Sequence, residues 1–334
     1  MKALVLKRYG KPDQVAFVET PQPVPKPDEI LVQVYAAGLN PIDNMIPKGT
    51  FKPILHFHLP ATLGSDLAGV VVEVGSHVTR FKPGDAVFAS IFDLIGKGAL
   101  AEFAPVPESA AALKPANLDF VQAASIPMVA LTSWQALKER ARLKSGQKVF
   151  IPAGSGGIGT FAIQLAKFLG AKVGTTTSTA NVDLVRSLGA DEIIDYKKQQ
   201  FENALHGYDA VLGTVRGDAL EKSLRILKPG STVVSLIGPP DAAFARARGM
   251  NFLMTLVFGL LSRKIIRHAR KQGVAYSFLF VHPDGGQLAE IGTLLEAGHI
   301  RPVIDKVFPF AQAKEALAYL ERGRAKGKVV VQMA

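Results

Sequence analysis

Cysteine is absent from all 334 residues of the chain. Its absence excludes disulfides, thiolate metal sites and a cysteine nucleophile, and it suits a reducing, cytoplasmic setting. Long apolar runs are missing too, since no stretch reaches the ~18 apolar residues of a membrane-spanning helix. The opening MKALVLKRYG has no extended apolar core of the secretory kind and reads as an alternating strand. Tryptophan occurs once, and no basic patch is interleaved with base-stacking rings. The net charge of +11 therefore points to anionic ligands in general, not to nucleic acid. At 48% hydrophobic, the chain is long enough for two domains, each with its own core.

The densest chemical signal is KVFIPAGSGGIGTFAIQLAKFLG at 148–170. A short apolar strand runs into Gly154, Gly156 and Gly159, spaced G-x-G-x-x-G. From within the cluster onward, Ile158, Phe161, Ala162, Leu165, Ala166 and Leu169 recur at helical spacing. In a dinucleotide site the first glycine makes the turn, the second lets backbone approach a pyrophosphate, and the third lets helix pack on strand. The helix N-terminus then offers free N–H groups and a positive dipole end. With 31 glycines in the chain the spacing alone means little, and the strand-before, helix-after context carries it.

Before this stretch, residues 1–124 read as short β-rich runs at 2–6, 15–19, 29–37, 68–74, 85–89 and 100–106. Four prolines between Pro21 and Pro27 read as a stiff inter-strand connection. From 130 onward strand and helix alternate, with strands expected at 172–176, 192–196, 208–212, 232–237 and 276–281. With the opening unit these make a doubly wound parallel sheet. Helices at 287–297 and 311–321 and a strand at 328–332 close the chain. Residues 252–261 are apolar, and Arg263, Lys264, Arg267, Arg270 and Lys271 follow at once. This basic amphipathic segment, 252–271, suits an anionic membrane surface, a lid over a pocket, or a buried helix with a solvated end.

A carboxylate is also missing where it would matter. An acid about 20 positions after the first glycine binds the ribose 2′-hydroxyl of NAD. Here that place reads VGTTTST at 173–179, and the next acid is Asp183, within a helix. Small hydroxyl residues with no negative charge admit a 2′-phosphate, so NADP (NADPH) is the expected cofactor.

Ordered blocks then identify a resemblance over essentially the whole length: GLNPID at 38–43, LGSDLAGVV at 63–71, FKPGDAV at 81–87, GALAEF at 98–103, ALTSW at 130–134, LGAD at 188–191, Asp195-Tyr196 and GRAKGK at 323–328. The chain resembles the medium-chain dehydrogenase/reductase superfamily, within it the zinc-independent quinone oxidoreductase and alkenal/enone reductase branch. That resemblance implies an α/β fold, with a Rossmann NADP-binding domain over 125–282. A GroES-like, mostly-β catalytic domain would comprise 1–124 and 283–334. Zinc relatives carry Cys at the position of Asn40 and Gly-His-Glu at 64–66, so no metal is expected; His56 and His58 lack a third ligand in sequence.

For the cofactor, the family implies Asn40 and Thr132 near the nicotinamide ribose and ring. Ser155, Gly156, Gly157, Ile158 and Gly159 would cradle the pyrophosphate. Ser178, Thr179, Asn181, Tyr196 and Arg324 would surround the 2′-phosphate, Asn181 standing where many relatives have Lys. Thr214, Ile237, Gly238, Phe280 and Val281 would border the cofactor, and Asp43, Thr50 and Phe51 the substrate pocket. Asn40 is the one side chain suggested as a polar stabiliser of the reaction, and no proton donor is assigned. The expected activity is hydride transfer from NADPH to quinones or to the C=C bond of α,β-unsaturated carbonyls. Its rivals are a metal-free NADP-dependent alcohol dehydrogenase and a non-catalytic, zeta-crystallin-like NADPH-binding or RNA-binding protein. A small-molecule substrate, no nucleic acid and a homodimer complete the expectation.

Overall fold

The computed structural model describes residues 1–10, 14–52, 58–91 and 97–333. In its first part the strands are β1 (Lys2–Leu6), β2 (Val15–Glu19), β3 (Glu29–Leu39), β4 (Ala61–Thr62), β5 (Asp66–Val74), β6 (Ala86–Ser90), β7 (Phe103–Pro107) and β8 (Ala111–Leu113). Next come β9 (Lys148–Ile151), β10 (Lys172–Thr177), β11 (Glu192–Asp195), β12 (Tyr208–Gly213), β13 (Leu227–Ser235) and β14 (Ala275–Phe278). The last are β15 (Ile304–Pro309) and β16 (Lys328–Gln332). The helices are α1 (Pro41–Met45), α2 (Phe120–Ala124), α3 (Pro127–Trp134), α4 (Gly157–Phe168), α5 (Val182–Ser187) and α6 (Phe201–Ala204). They continue as α7 (Ala219–Ser223), α8 (Ala242–Ala247), α9 (Phe252–Lys271), α10 (Gly285–Glu296) and α11 (Ala313–Glu321).

Two compact units divide the chain, Met1–Leu131 with His282–Ala334, and Thr132–Val281. The first crossing falls inside α3, later than the expected 124/125, because its first residues belong to the packing of the β-rich unit: the Met128 N–H donates to Asp66 at 3.0 Å.

The discontinuous unit holds a three-stranded sheet, β2-β1-β4, and a larger sheet ordered β15-β16-β3-β5-β6-β8, with β7 also on β3. Its centre is β3, eleven residues long, whose Ile30, Leu31, Val32, Val34, Ala36, Ala37 and Leu39 are buried. The register pairs Gly38 of β3 with Asp66 at the head of β5 and with Val330 at the middle of β16. A Cβ on Gly38 would lie 2.1 Å from the Ala124 carbonyl oxygen, so only glycine lets α2 settle on the sheet there. The long periodicities of the sequence predict β3, β5 and β16. Strands β4, β8 and β15 go unpredicted, being two or three residues long or, for β15, split by charge at Asp305 and Lys306.

In the continuous unit all six strands are parallel, ordered β11-β10-β9-β12-β13-β14. By chain order that is 3-2-1-4-5-6, so the crossover direction reverses between β9 and β12. Ligands of such sheets bind beyond the strand carboxyl ends at that reversal, which is where the glycine cluster lies. Phe150, Val211, Tyr208 and Val233 form the core beneath it, joined by Ile265 and Ala269 of α9.

Candidate active site

The chain leaves β9 through Pro152 and Ala153, the latter at φ 55°, a left-handed turn uncommon for a residue with a side chain. The turn is held by the opposite strand: the Gly154 N–H donates to the Thr176 carbonyl at 2.9 Å. The Ala153 N–H donates to Thr176 Oγ1 at 3.0 Å. The three glycines then separate by cause. A Cβ on Gly154 would lie 2.2 Å from Thr175 Oγ1, and one on Gly159 2.5 Å from the Ala153 carbonyl oxygen. Both are glycine because the protein packs against itself. A Cβ on Gly156 would meet only the Ala153 oxygen, at 3.4 Å, and its φ of −82° suits any residue. Nothing in the fold itself demands glycine there, whereas close approach of a ligand to the backbone would.

Gly156 is also the N-cap of α4, and no side chain caps that helix. The N–H groups of Gly157, Ile158 and Gly159 lack intrahelical acceptors, as the first turn of any α-helix does. An uncapped first turn of a 12-residue helix attracts an anion through those donors and the helix dipole. Beside it, Thr177 Oγ1 donates to Ser155 Oγ at 3.0 Å and Asn181 Nδ2 donates to the same oxygen at 3.2 Å. Ser155 accepts both, which leaves its own proton to donate outward. Asn181 Oδ1 is buried without a partner. An orphaned buried acceptor costs about 1–3 kcal/mol, and a ligand hydroxyl or amine would satisfy it. These features fit a dinucleotide. Thr177 is a member of this wall that the sequence reading omits, although the three threonines that end β10 signal it.

At the end of β11 the picture is mixed. Tyr196 is 61% exposed, its phenol presented to solvent. Ser178 is half-buried and Thr179 exposed, but Thr179 Oγ1 already donates to Asp195 Oδ2 at 2.6 Å. That bond holds Asp195 below the ordinary carboxylate range and engages the Thr179 hydroxyl proton. The positive charge that Asn181 fails to supply has a similar history. Arg186 pairs with Asp183 at 2.6 Å and Lys198 with Asp195 at 3.7 Å, while Lys197 is exposed. Thr214, Ile237, Gly238, Phe280 and Val281 follow directly on β12, β13 and β14, at the same carboxyl edge. Thr214 Oγ1 donates to the Pro152 carbonyl at 3.1 Å, tying that edge to the glycine turn. Thr132, within α3, is buried.

The other expected residues lie in the β-rich unit. Arg324 is exposed in the turn before β16, and Thr50 is exposed in the turn after α1, where Phe51 packs against the core. Asn40 and Asp43 belong to a buried polar cluster. In it Lys328 Nζ donates to Asn40 Oδ1 at 2.6 Å and to Asp66 Oδ2 at 3.2 Å. Asn40 Nδ2 donates to Asp66 Oδ2 at 2.9 Å and reaches the Gly38 carbonyl at 3.4 Å. The Asn40 N–H donates to Asp43 Oδ2 at 2.7 Å, and Ser65 Oγ donates to Asp43 Oδ1. Two of the expected site residues are thus engaged within the cluster. Asn40 has no free amide hydrogen to offer a substrate oxygen, since both are engaged. Asp43 is 1% exposed, enclosed by Ser65 and the α1 turn. Burial pushes its pKa up to about 7, against the pull of the Ser65 and Asn40 hydrogen bonds. Burial raises Asp66 as well, and the Lys328 ammonium opposes it.

The cluster escapes a reading of the sequence as a unit, although both its ends show there. Asp66 and Lys328 each stand at the head of an apolar strand, and only the register of β3, β5 and β16 brings them together. Among the described residues no three His, Cys, Asp or Glu side chains group so as to hold a metal. His56 lies outside the described residues, so the His56 and His58 pair is not placed.

Comparison with known proteins agrees with this geometry. Residues 26–116 match the family model described as alcohol dehydrogenase GroES-like domain, and residues 188–331 the one described as zinc-binding dehydrogenase. The second name does not carry zinc to this chain, where Asn40 and Asp66 are bound to each other and to Lys328, and Ser65 to Asp43. The chain is 38% identical to the mouse (Mus musculus) NAD(P)H oxidoreductase RTN4IP1, mitochondrial, over all of this chain and 89% of that protein. It is 37% identical to the NADPH-dependent alkenal/one oxidoreductase, chloroplastic, of Arabidopsis thaliana, over 99% of this chain and 79% of the other. The quinone oxidoreductase structure from Coxiella burnetii superposes with a TM-score of 0.86 at 31% identity, covering 100% of this chain and 99% of that one. With a glycine turn built for a pyrophosphate and relatives that span its full length, the chain belongs to the medium-chain dehydrogenase/reductase superfamily, in its quinone oxidoreductase and alkenal/enone reductase branch.

Proposed function

We propose that the protein is an NADPH-dependent reductase of quinones and of C=C bonds conjugated to a carbonyl. The observation that carries the reading is the uncapped α4 N-terminus with an open backbone at Gly156, followed by a β10 that ends in hydroxyls and not in an acid. The names of the Arabidopsis relative and of the Coxiella structure support the acceptor class. Bound there, NADPH supplies the hydride. The chain's own part is to hold the pyrophosphate at the N–H groups of 157–159 and at Ser155, and to select the 2′-phosphate through Tyr196 and Arg324. Hydride on an electrophilic carbon leaves negative charge on the acceptor oxygen, which one proton from solvent then neutralises. Hydrogen-bond donors must stabilise that oxygen. With the Asn40 amide spent inside its cluster, backbone N–H groups take that role. A homodimer paired through the sheet edge at β14 belongs to the same reading.

The test is NADPH consumption against a naphthoquinone, an alkenal, a linear enone and a simple ketone. Turnover of the first three and not of the ketone is expected. Turnover of the ketone alone would make the protein a metal-free alcohol dehydrogenase, and turnover of none with NADPH still bound would remove the enzyme reading.

A further inference from the structure

Asp241 is followed by 42 residues without a single acid, 242–283, and those residues carry seven of the chain's arginines and lysines. At the centre of this stretch is α9, 20 residues long and so about 30 Å from end to end. Asn251 caps it, accepting from the Met254 N–H at 2.9 Å. Its buried residues, Phe258, Ser262, Ile265 and Ala269, are spaced four, three and four apart and form one narrow stripe against the unit. The outward face is therefore legible residue by residue. Over the first half it shows Phe252, Leu253, Leu256, Val257, Leu260 and Leu261, all exposed, Phe252 at 83%. Over the second half the same face shows Arg263, Lys264, Arg267, Arg270 and Lys271, also exposed. Lys264 is engaged by Glu221 at 2.8 Å.

We propose that α9 docks the protein on the surface of an anionic lipid bilayer. Six large apolar side chains on one exposed face are more than a solvated helix needs, and burial of such side chains among acyl chains is favourable. The adjoining cations on an acid-free helix complement anionic headgroups. A second copy is a poor occupant. Pairing α9 with itself along its length sets cations against cations when parallel and against leucines when antiparallel. No helix among the described residues is long and apolar enough to cross a membrane, so contact is with the surface. Docking of this kind does not depend on what the enzyme reduces.

The experiment is co-sedimentation of the full chain with vesicles of phosphatidylcholine alone or with ~30 mol% phosphatidylglycerol. Binding to the anionic vesicles at least about tenfold stronger, and weakened by salt, is expected. Two variants, Leu253→Ser/Leu256→Ser/Leu260→Ser and Arg263→Gln/Arg267→Gln/Arg270→Gln/Lys271→Gln, should each lose about tenfold or more. Circular dichroism checks their folding, and either variant suffices if the other fails to fold. Equal binding to both vesicle types, no binding, or binding unchanged in the variants would overturn the proposal. A dimer that the leucine variant dissociates, without vesicle binding, would show that a second copy covers the face.

Discussion

Asp43 and Tyr196 show how differently one residue can serve the protein according to its burial. Asp43 is enclosed, and its pKa of about 7 lies above the ordinary 3.8. The folded form thus holds a proton that the unfolded chain has released, so stability falls as pH rises from about 4 to about 7. An asparagine in its place would reproduce the protonated state, its amide donating to Ser65 Oγ and its carbonyl oxygen accepting from the Asn40 N–H. Asp43→Asn should therefore remove most of that decline, roughly a few kcal/mol in size, in denaturant unfolding measured across the window. A wild-type stability that holds level from about pH 4 to about pH 7 would refute the assignment. Tyr196, exposed beside the hydroxyl end of β10, is expected to touch only the phosphate that distinguishes the two cofactors. Tyr196→Phe and Arg324→Ala should raise the KM for NADPH several-fold more than that for NADH. Equal effects on the two would remove both residues from the 2′-phosphate site.

Between elements, the cause of each glycine predicts its tolerance. Gly156→Ala adds a methyl with one neighbour at 3.4 Å, in a backbone conformation alanine accepts. The melting temperature of this variant should stay close to wild type while NADPH affinity falls about tenfold or more, read by calorimetry. Gly154→Ala and Gly159→Ala, with contacts of 2.2 and 2.5 Å, should lose stability first. The polar cluster gives a second prediction, because the Lys328 ammonium on β16 ties together Asp66 of β5 and Asn40 at the N-cap of α1. Lys328→Met leaves Asp66 buried without its counter-charge and should cost about 3–5 kcal/mol in unfolding free energy. Adding Asp66→Asn should recover part of it, and strictly additive losses would show that the two do not interact.

For the molecule as a whole, net charge and its placement set the response to salt. NADPH carries one more phosphate than NADH, so raising ionic strength should weaken NADPH binding more steeply, as titration at several salt concentrations would show. Parallel slopes would mean the 2′-phosphate meets no positive charge. The parallel sheet is readable from sequence because buried strands and amphipathic helices alternate with long periodic signals throughout Thr132–Val281. The glycine turn is readable because its three glycines fall within one short stretch, 154–159, between a strand and a helix. The engagement of Asn40 and Asp43 is not readable, for the opposite reason. Their partners Ser65, Asp66 and Lys328 stand 22 to 288 residues away, and a side chain's free hydrogens are counted only once those partners are in place.

Local order in the sequence thus settles the fold class, the cofactor's phosphate site and the lack of an acid on β10, since all rest on spacing along one strand, turn or helix. Tertiary packing settles which polar groups remain available. It spends the Asn40 amide and the Thr179 proton, leaves Asn181 Oδ1 unpaired, and turns six apolar side chains of α9 outward. Those outcomes follow from register and burial, which bring distant residues together or hold them apart, and for α9 they choose among the readings its local pattern leaves open.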